Sequence, residues 1–204
     1  MSESVLKMTR SRVQLLAIIA IFIIPMVLAK IVWEYFGEHG VNTTVNHGSL
    51  ISPAKPLMDM VLVDAQHNAL PADLLKGHWT YVMFAENSCD PACEQQLYVT
   101  RQTRVSVNKD MQRVQRLLVL GFEPEQAWLE KLQQEHPELI VAVLTRPIWT
   151  AFQVQFQQDI EAIGGMPFFL VDPLGNLMMG YDELATPKGI LSDLRKLLKI
   201  SQIG

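Results

Sequence analysis

"HWTYVMFAENSCDPACEQQ", residues 78–96, decides the fold. Its first eight residues are rich in aromatic and β-branched side chains, with no turn former among them. That composition predicts a buried strand over 78–85. The polar run Glu86, Asn87, Ser88 breaks it. Cys89 then leads into Pro91, which suits a first helical turn because its missing N–H would have no partner there. A helix is expected from about Pro91 to Asp110. Both cysteines of the chain, Cys89 and Cys93, therefore fall where a core strand gives way to a helix.

Reading outward, the chain alternates. A strand, polar turn and strand are expected over 60–71, and a strand over 113–121. A helix over 124–136 has Pro124 in its first turn and Pro137 past its end. Strand 138–144, a helical stretch 149–164, and the pair 167–172 and 176–181 around "PLG" follow. Thr186 is a good N-cap ahead of Pro187. Ile190, Leu191, Leu194, Leu197 and Leu198 then recur at helical spacing. This order describes an α/β sandwich on a mixed sheet. It resembles the thioredoxin-like fold, although pattern alone leaves other α/β folds open.

The chain has 204 residues, 49% of them hydrophobic and 19% charged, enough apolar material for a core. A net charge of −4 gives no sign of a nucleic-acid partner. Ahead of the domain, "VQLLAIIAIFIIPMVLA" (13–29) carries no charge, and Ile31, Val32 and Trp33 extend it past Lys30. A bilayer-spanning helix needs about 20 such residues. Lys7, Arg10 and Arg12 precede the run, and Glu34 and Glu38 follow it. The positive-inside rule then places residues 1–12 in the cytoplasm, a single-pass anchor over 13–33, and the rest outside. Trp33, Tyr35 and Phe36 suit an interfacial belt. A cleaved signal peptide ending near "VLA" is the alternative, and a buried core helix a third. Residues 34–56, rich in Gly, Asn, Thr, Ser and Pro, are expected to be a linker before a domain over 57–204.

Three uses of the cysteine pair stand open. On a helix, positions i and i+4 share a face about 6 Å apart, within reach of a disulfide. A helix N-terminus lowers a thiol pKa, which favours thiol–disulfide exchange, while Asp90 and Glu94 oppose the shift. The same geometry lets two soft thiolates hold Cu(I). An inert structural bridge is the third.

The stretches "LLKGHWTYVMFAENSCDPACEQQLYVTRQ" (74–102) and "PFFLVDPLGNLMMGY" (167–181) resemble the Sco/SenC family, membrane-anchored thioredoxin-like proteins that help build the copper centre of cytochrome c oxidase. "NHGSLISP" (46–53) is similar to a stretch after the anchor in small proteins of proteobacterial oxidase gene clusters. The resemblance implies a bacterial inner-membrane protein with a periplasmic domain. Its implied partners are a respiratory oxidase subunit or assembly factors, beside the bilayer itself. Cys89 and Cys93 match the family's copper-binding and redox cysteines. The family's third copper ligand, a histidine, would fall near Gly164, and the five histidines (His39, His47, His67, His78, His136) all lie earlier. "GMPFF" instead resembles the thioredoxin loop in which a cis-proline faces the active-site disulfide, here Pro167. Met166 would lie beside the thiols as a weak thioether ligand or as packing. The function implied is assistance of oxidase assembly by thiol–disulfide exchange, with Cu(I) handling by the same pair. The alternative is a non-catalytic docking factor with a structural disulfide.

Other candidates read as background. Met58, Met60, Met178 and Met179 suit core filling. His47, His67 and His78 read as surface residues. Arg101, Arg104, Lys109, Arg113 and Arg116 read as a solvated basic face.

Overall fold

The computed structural model describes residues 2–38, 46–201 and 203. The chain divides into two compact units, 1–45 and 46–204. In the first, α1 (Ser2–Glu38) is one continuous helix with Pro25 inside it. Apart from Arg12 and Lys30, Arg12–Val32 is free of charged side chains, and Phe22 and Met26 are exposed on it. At 1.5 Å per residue its 21 residues reach about 31 Å, the thickness of a bilayer's hydrocarbon core. Lys30 and Glu34 pair across one turn at 3.8 Å. His39 and the side chains of Lys7, Arg10, Trp33, Tyr35 and Phe36 lie outside the described residues.

The second unit is built on a six-stranded sheet in the order β1-β6-β5-β2-β3-β4. The strands are β1 (Ser49–Pro56), β2 (Trp79–Ala85), β3 (Val114–Leu120), β4 (Leu139–Val143), β5 (Phe168–Val171) and β6 (Asn176–Tyr181). β2, β3 and β4 are parallel; β5, β6 and β1 are antiparallel to their neighbours. The period of two sorts β2 between two cores. Trp79, Tyr81, Met83 and Ala85 face α2 (Pro91–Ser106), α6 (Pro187–Ile200) and Leu132 of α3 (Gln126–Glu135). Val82 and Phe84 face Trp149, Phe152 and Phe156, from α4 (Arg146–Gln153) and the turn that precedes α5 (Gln157–Ile163). Helices thus cover both faces of a mixed sheet, as a thioredoxin-like fold requires. Thr186 caps α6, its Oγ1 accepting the Gly189 N–H at 3.2 Å.

Four expectations need correction. The linker reaches less far than 34–56, because Ser49–Pro56 form edge strand β1 against β6. Two prolines interrupt the alternation that would have marked it, and an edge strand tolerates them because one side needs no donors. Over 60–71 the turn stands, but its strands shrink to the single bridges Val63–Ala69 and Asp64–Ala142. The helix expected over 149–164 is two, α4 and α5. At the break the Gln155 carbonyl accepts from Lys55 Nζ at 2.6 Å, and its Oε1 accepts from the Met58 N–H. The helix from Pro91 ends at Ser106 and passes into a 3-10 segment, Asn108–Arg113.

His47 is no idle surface residue. The N–H groups of His47 and Gly48 donate to Asp193 Oδ2 at 2.8 and 3.0 Å, and His47 Nδ1 stands 3.2 Å from Oδ1. A Cβ at Gly48 would come within 2.5 Å of the Tyr181 ring, so only glycine fits this seat.

Candidate functional site

β2 delivers the chain to the C-terminal end of the parallel strands, and after five intervening residues α2 begins. Asp90 is the N-cap: its Oδ1 accepts the Cys93 N–H at 2.9 Å, and Pro91 starts the helix. Capping thereby sets the Cys93 side chain one turn above Cys89. The two are joined in a disulfide with their Cα atoms 5.2 Å apart. Cys93 is 2% exposed and packs in the core beneath α2, whereas Cys89 is half-buried and reaches the surface. Only one sulfur of the bridge is thus within a partner's reach.

Cys89 opens into a cavity of about 330 Å³ between α2 and α3. Its apolar wall is Leu97, Tyr98, Trp128 and Leu132; Glu94, Arg101, Lys131, Glu135 and His136 supply charge and polarity. Arg116 lies behind the Leu97 wall and is 2% exposed, which corrects the expected solvated basic face. Strand parity is the cause: Arg116 shares the inward side of β3 with Leu118 and Leu120, under α2. Its Nε donates to Thr100 Oγ1 at 3.1 Å and its NH2 to the Leu97 carbonyl at 2.7 Å. The same NH2 lies 3.4 Å from His136 Nδ1. An arginine can only donate, so Nδ1 accepts and the His136 proton belongs on Nε2. Burial pulls the Arg116 pKa down to about 10, helped by Arg104 and Arg101. Burial, Arg116 and Arg101 together lower that of His136, against an opposing pull from Glu135.

The other flank of α2 meets the loop before β5. Gly164 and Gly165, with φ of 81° and 66°, turn the chain there. Gln96 Nε2 donates to the Met166 carbonyl, and the Met166 N–H donates to Glu183 Oε1 at 3.3 Å. Pro167 is buried and Met166 is 38% exposed. The Met166–Pro167 bond is trans, since the cis bond among the described residues is Ser52–Pro53. That corrects the expected cis-proline: the paired glycines already make the turn. The structure thus unites Cys89 with Cys93. It brings the Met166 carbonyl to the same helix through Gln96, a residue that nothing in the sequence marked.

The donor set does not fit a three-ligand copper site. Among the described residues no three His, Cys, Asp or Glu side chains converge to hold a metal. His47, His67 and His78 are engaged or placed elsewhere: His67 stands 3.9 Å from Glu123, and His78 is exposed at the start of β2. Met179 is core, Met178 half-buried, Met60 packed at the second core, and Met58 exposed.

No curated protein sequence matches the chain. Solved structures do. Copper-bound yeast Sco1 aligns with a TM-score of 0.58 at 17% identity, over 71% of this chain and 94% of that one. BsSco, described as a member of the Sco family of cytochrome c oxidase assembly proteins with a disulfide switch, aligns at 0.57 and 13% identity, over 75% and 99%. The thioredoxin domain of a thiol–disulfide oxidoreductase from Bacteroides vulgatus aligns at 0.51 and 19% identity, over 74% and 96%. At such identities they establish a Sco-like thioredoxin fold. The family model for the C-terminal domain of transmembrane-like, thioredoxin-like proteins matches residues 79–201, and the chain belongs to that family.

Proposed function

We propose that this chain is a membrane-anchored thiol–disulfide exchange protein that assists cytochrome c oxidase assembly, with its domain on the periplasmic side of a bacterial inner membrane. One observation carries the chemistry: a disulfide at the start of α2 with Cys89 open to a groove and Cys93 buried. Lys7, Arg10 and Arg12, ahead of the apolar run within α1, support the orientation. The Sco likeness supports the setting, with an oxidase subunit or an assembly factor as partner.

In the reduced form, Cys89 thiolate attacks a disulfide sulfur of the partner and expels one partner thiolate. Cys93 then attacks Cys89 in the mixed disulfide, restores the Cys89–Cys93 bond and releases the second partner thiolate. Two electrons and two protons pass to the partner, and a separate dithiol reductant must reopen the bridge. Run in reverse, a partner thiolate attacks Cys89 and Cys93 leaves. In both directions the mixed disulfide forms at Cys89. The helix N-terminus stabilises whichever sulfur is anionic. The Asp90 carboxylate opposes that effect but fixes the geometry.

Cu(I) enters only as a cargo of the reduced pair: the two thiolates are soft donors, and the donor set ends there. Titration of the reduced chain with Cu(I) separates the roles. A tight one-to-one site that vanishes in Cys93→Ser would assign copper carriage.

The decisive experiment is trapping. Cys93→Ser should accumulate a mixed disulfide at Cys89 with a membrane or periplasmic protein and lose turnover. Cys89→Ser should trap nothing. If neither variant alters oxidase assembly, and the bridge resists glutathione with a reduction potential below about −300 mV, it is a structural staple in a docking factor.

A further inference from the structure

The groove beside Cys89 has one property that exchange chemistry alone does not need. Its floor hides a cation without a counter-ion. Arg116 is 2% exposed, and its partners are a hydroxyl, a carbonyl and an imidazole, all neutral. Buried charges are normally paired, since an uncompensated one is costly. The nearby acids do not face it as partners. Glu138 pairs with Arg104, and Glu135 stands 3.9 Å from Lys131. Arg101, exposed on the groove wall, makes no ion pair among the described residues. Glu135 offsets Lys131 and the His136 imidazole is neutral, so the uncompensated positive charge at that end is that of Arg101 on the wall, with Arg116 behind His136. At the other end Glu94 sits in the first turn beside the disulfide.

We infer that this groove binds the polypeptide segment flanking the partner's reactive cysteine, and that the segment carries an acidic side chain three to five residues from that cysteine. The inference rests on the exchange reading above. Spacing follows from the helix. Asp90 to Arg101 is eleven residues, a rise of about 16 Å, which the arginine side chain shortens by pointing back toward the helix N-terminus. An extended peptide covers that distance in three to five residues at about 3.3 Å each. Glutathione, with its carboxylate one residue from the sulfur, is too short. Glu94 adds register, since it repels an acid placed directly beside the reacting cysteine. Tyr98, Trp128, Leu97 and Leu132 supply the apolar wall along which the intervening residues lie.

The test uses the full oxidised chain in lipid nanodiscs and three single-cysteine peptides. They are identical except for a glutamate four residues from the cysteine, a glutamine there, or a glutamate adjacent to the cysteine. Each peptide thiolate attacks Cys89 Sγ, the bond to Cys93 breaks, and Cys93 leaves as thiolate. A second peptide thiol completes the reduction and yields peptide disulfide. Rates are divided by the dithiothreitol rate on the same variant. The distal-glutamate peptide should react roughly tenfold faster than the glutamine peptide at low salt, and the adjacent-glutamate peptide slower than both. The advantage should collapse in Arg101→Glu with Lys131→Glu, and shrink in 0.5 M salt. Equal rates for the three peptides would overturn this inference alone. Failure of dithiothreitol to open the bridge would overturn the exchange reading as well.

Discussion

On one flank of α2, Cys89 opens into a groove with Arg101, Lys131 and His136 at its far end and Arg116 behind them. On the other, Asp182 and Glu183 line a second cavity of about 330 Å³ with Pro91, Gln96 and Phe168, and Gln96 ties the helix to the Met166 carbonyl. One helix thus separates a groove of mixed charge backed by the buried Arg116, where the accessible sulfur is, from an acidic side that is fastened to the loop before β5. Access and anchorage need opposite things. The exchanging sulfur must meet another molecule, while the helix that aims it must not move. Hydrogen bonds to the loop and the stacked Phe168–Tyr181 pair, with centroids 5.1 Å apart, hold the fastened flank.

Breaking either flank should give separable results. Reduction of Cys89–Cys93 acts on the open side. By the loop-entropy argument it should lower domain stability by about 2 kcal/mol, visible as an earlier denaturation midpoint in dithiothreitol. A much larger loss would mean that the bridge organises the core. Gln96→Leu acts on the fastened side. It removes one hydrogen bond to the Met166 carbonyl and should cost about 1 kcal/mol, or roughly 2–4 °C in Tm. It should also change exchange rates by moving the loop, whereas Cys93→Ser should abolish turnover without that shift. The smallest effect is that of His136. Its folded pKa lies below the ordinary 6.5, so the unfolded chain binds the proton more readily. Stability from this group is present above about pH 6.5 and drains away as pH falls below it. Urea midpoints should therefore decline from pH 7 toward pH 5 with a slope that His136→Gln reduces; an identical slope in that variant would remove His136 as the cause.

Much of the fastened side was hidden in the sequence, and much of the open side was plain. β2, the two cysteines and the Pro91 start were legible because a strand rich in aromatics meets a proline-opened helix, two local signals that agree. α6 was legible through its N-cap and its leucine spacing. β1 was not: its two prolines and exposed edge position erase the alternation that marks a strand. Arg116 was misread because clustered basic residues suggest a solvated face, while burial depends on strand parity and on α2 above it. Gln96 had no signature, since its partner is a backbone carbonyl 70 residues away. The cis isomer expected of Pro167 rested on the likeness of "GMPFF" to a thioredoxin loop, and the bond is trans.

The unequal depth of the two sulfurs has a chemical consequence beyond partner choice. In the reduced protein, Cys89 is the thiol that a diffusing peroxide meets first. Its oxidation gives a sulfenic acid one helical turn from a sheltered thiol. Condensation with Cys93 expels water and re-forms the bond seen here. An oxidative insult thus ends in the same Cys89–Cys93 bond that exchange forms, and irreversible sulfinic acid is bypassed as long as Cys93 keeps its place in the core.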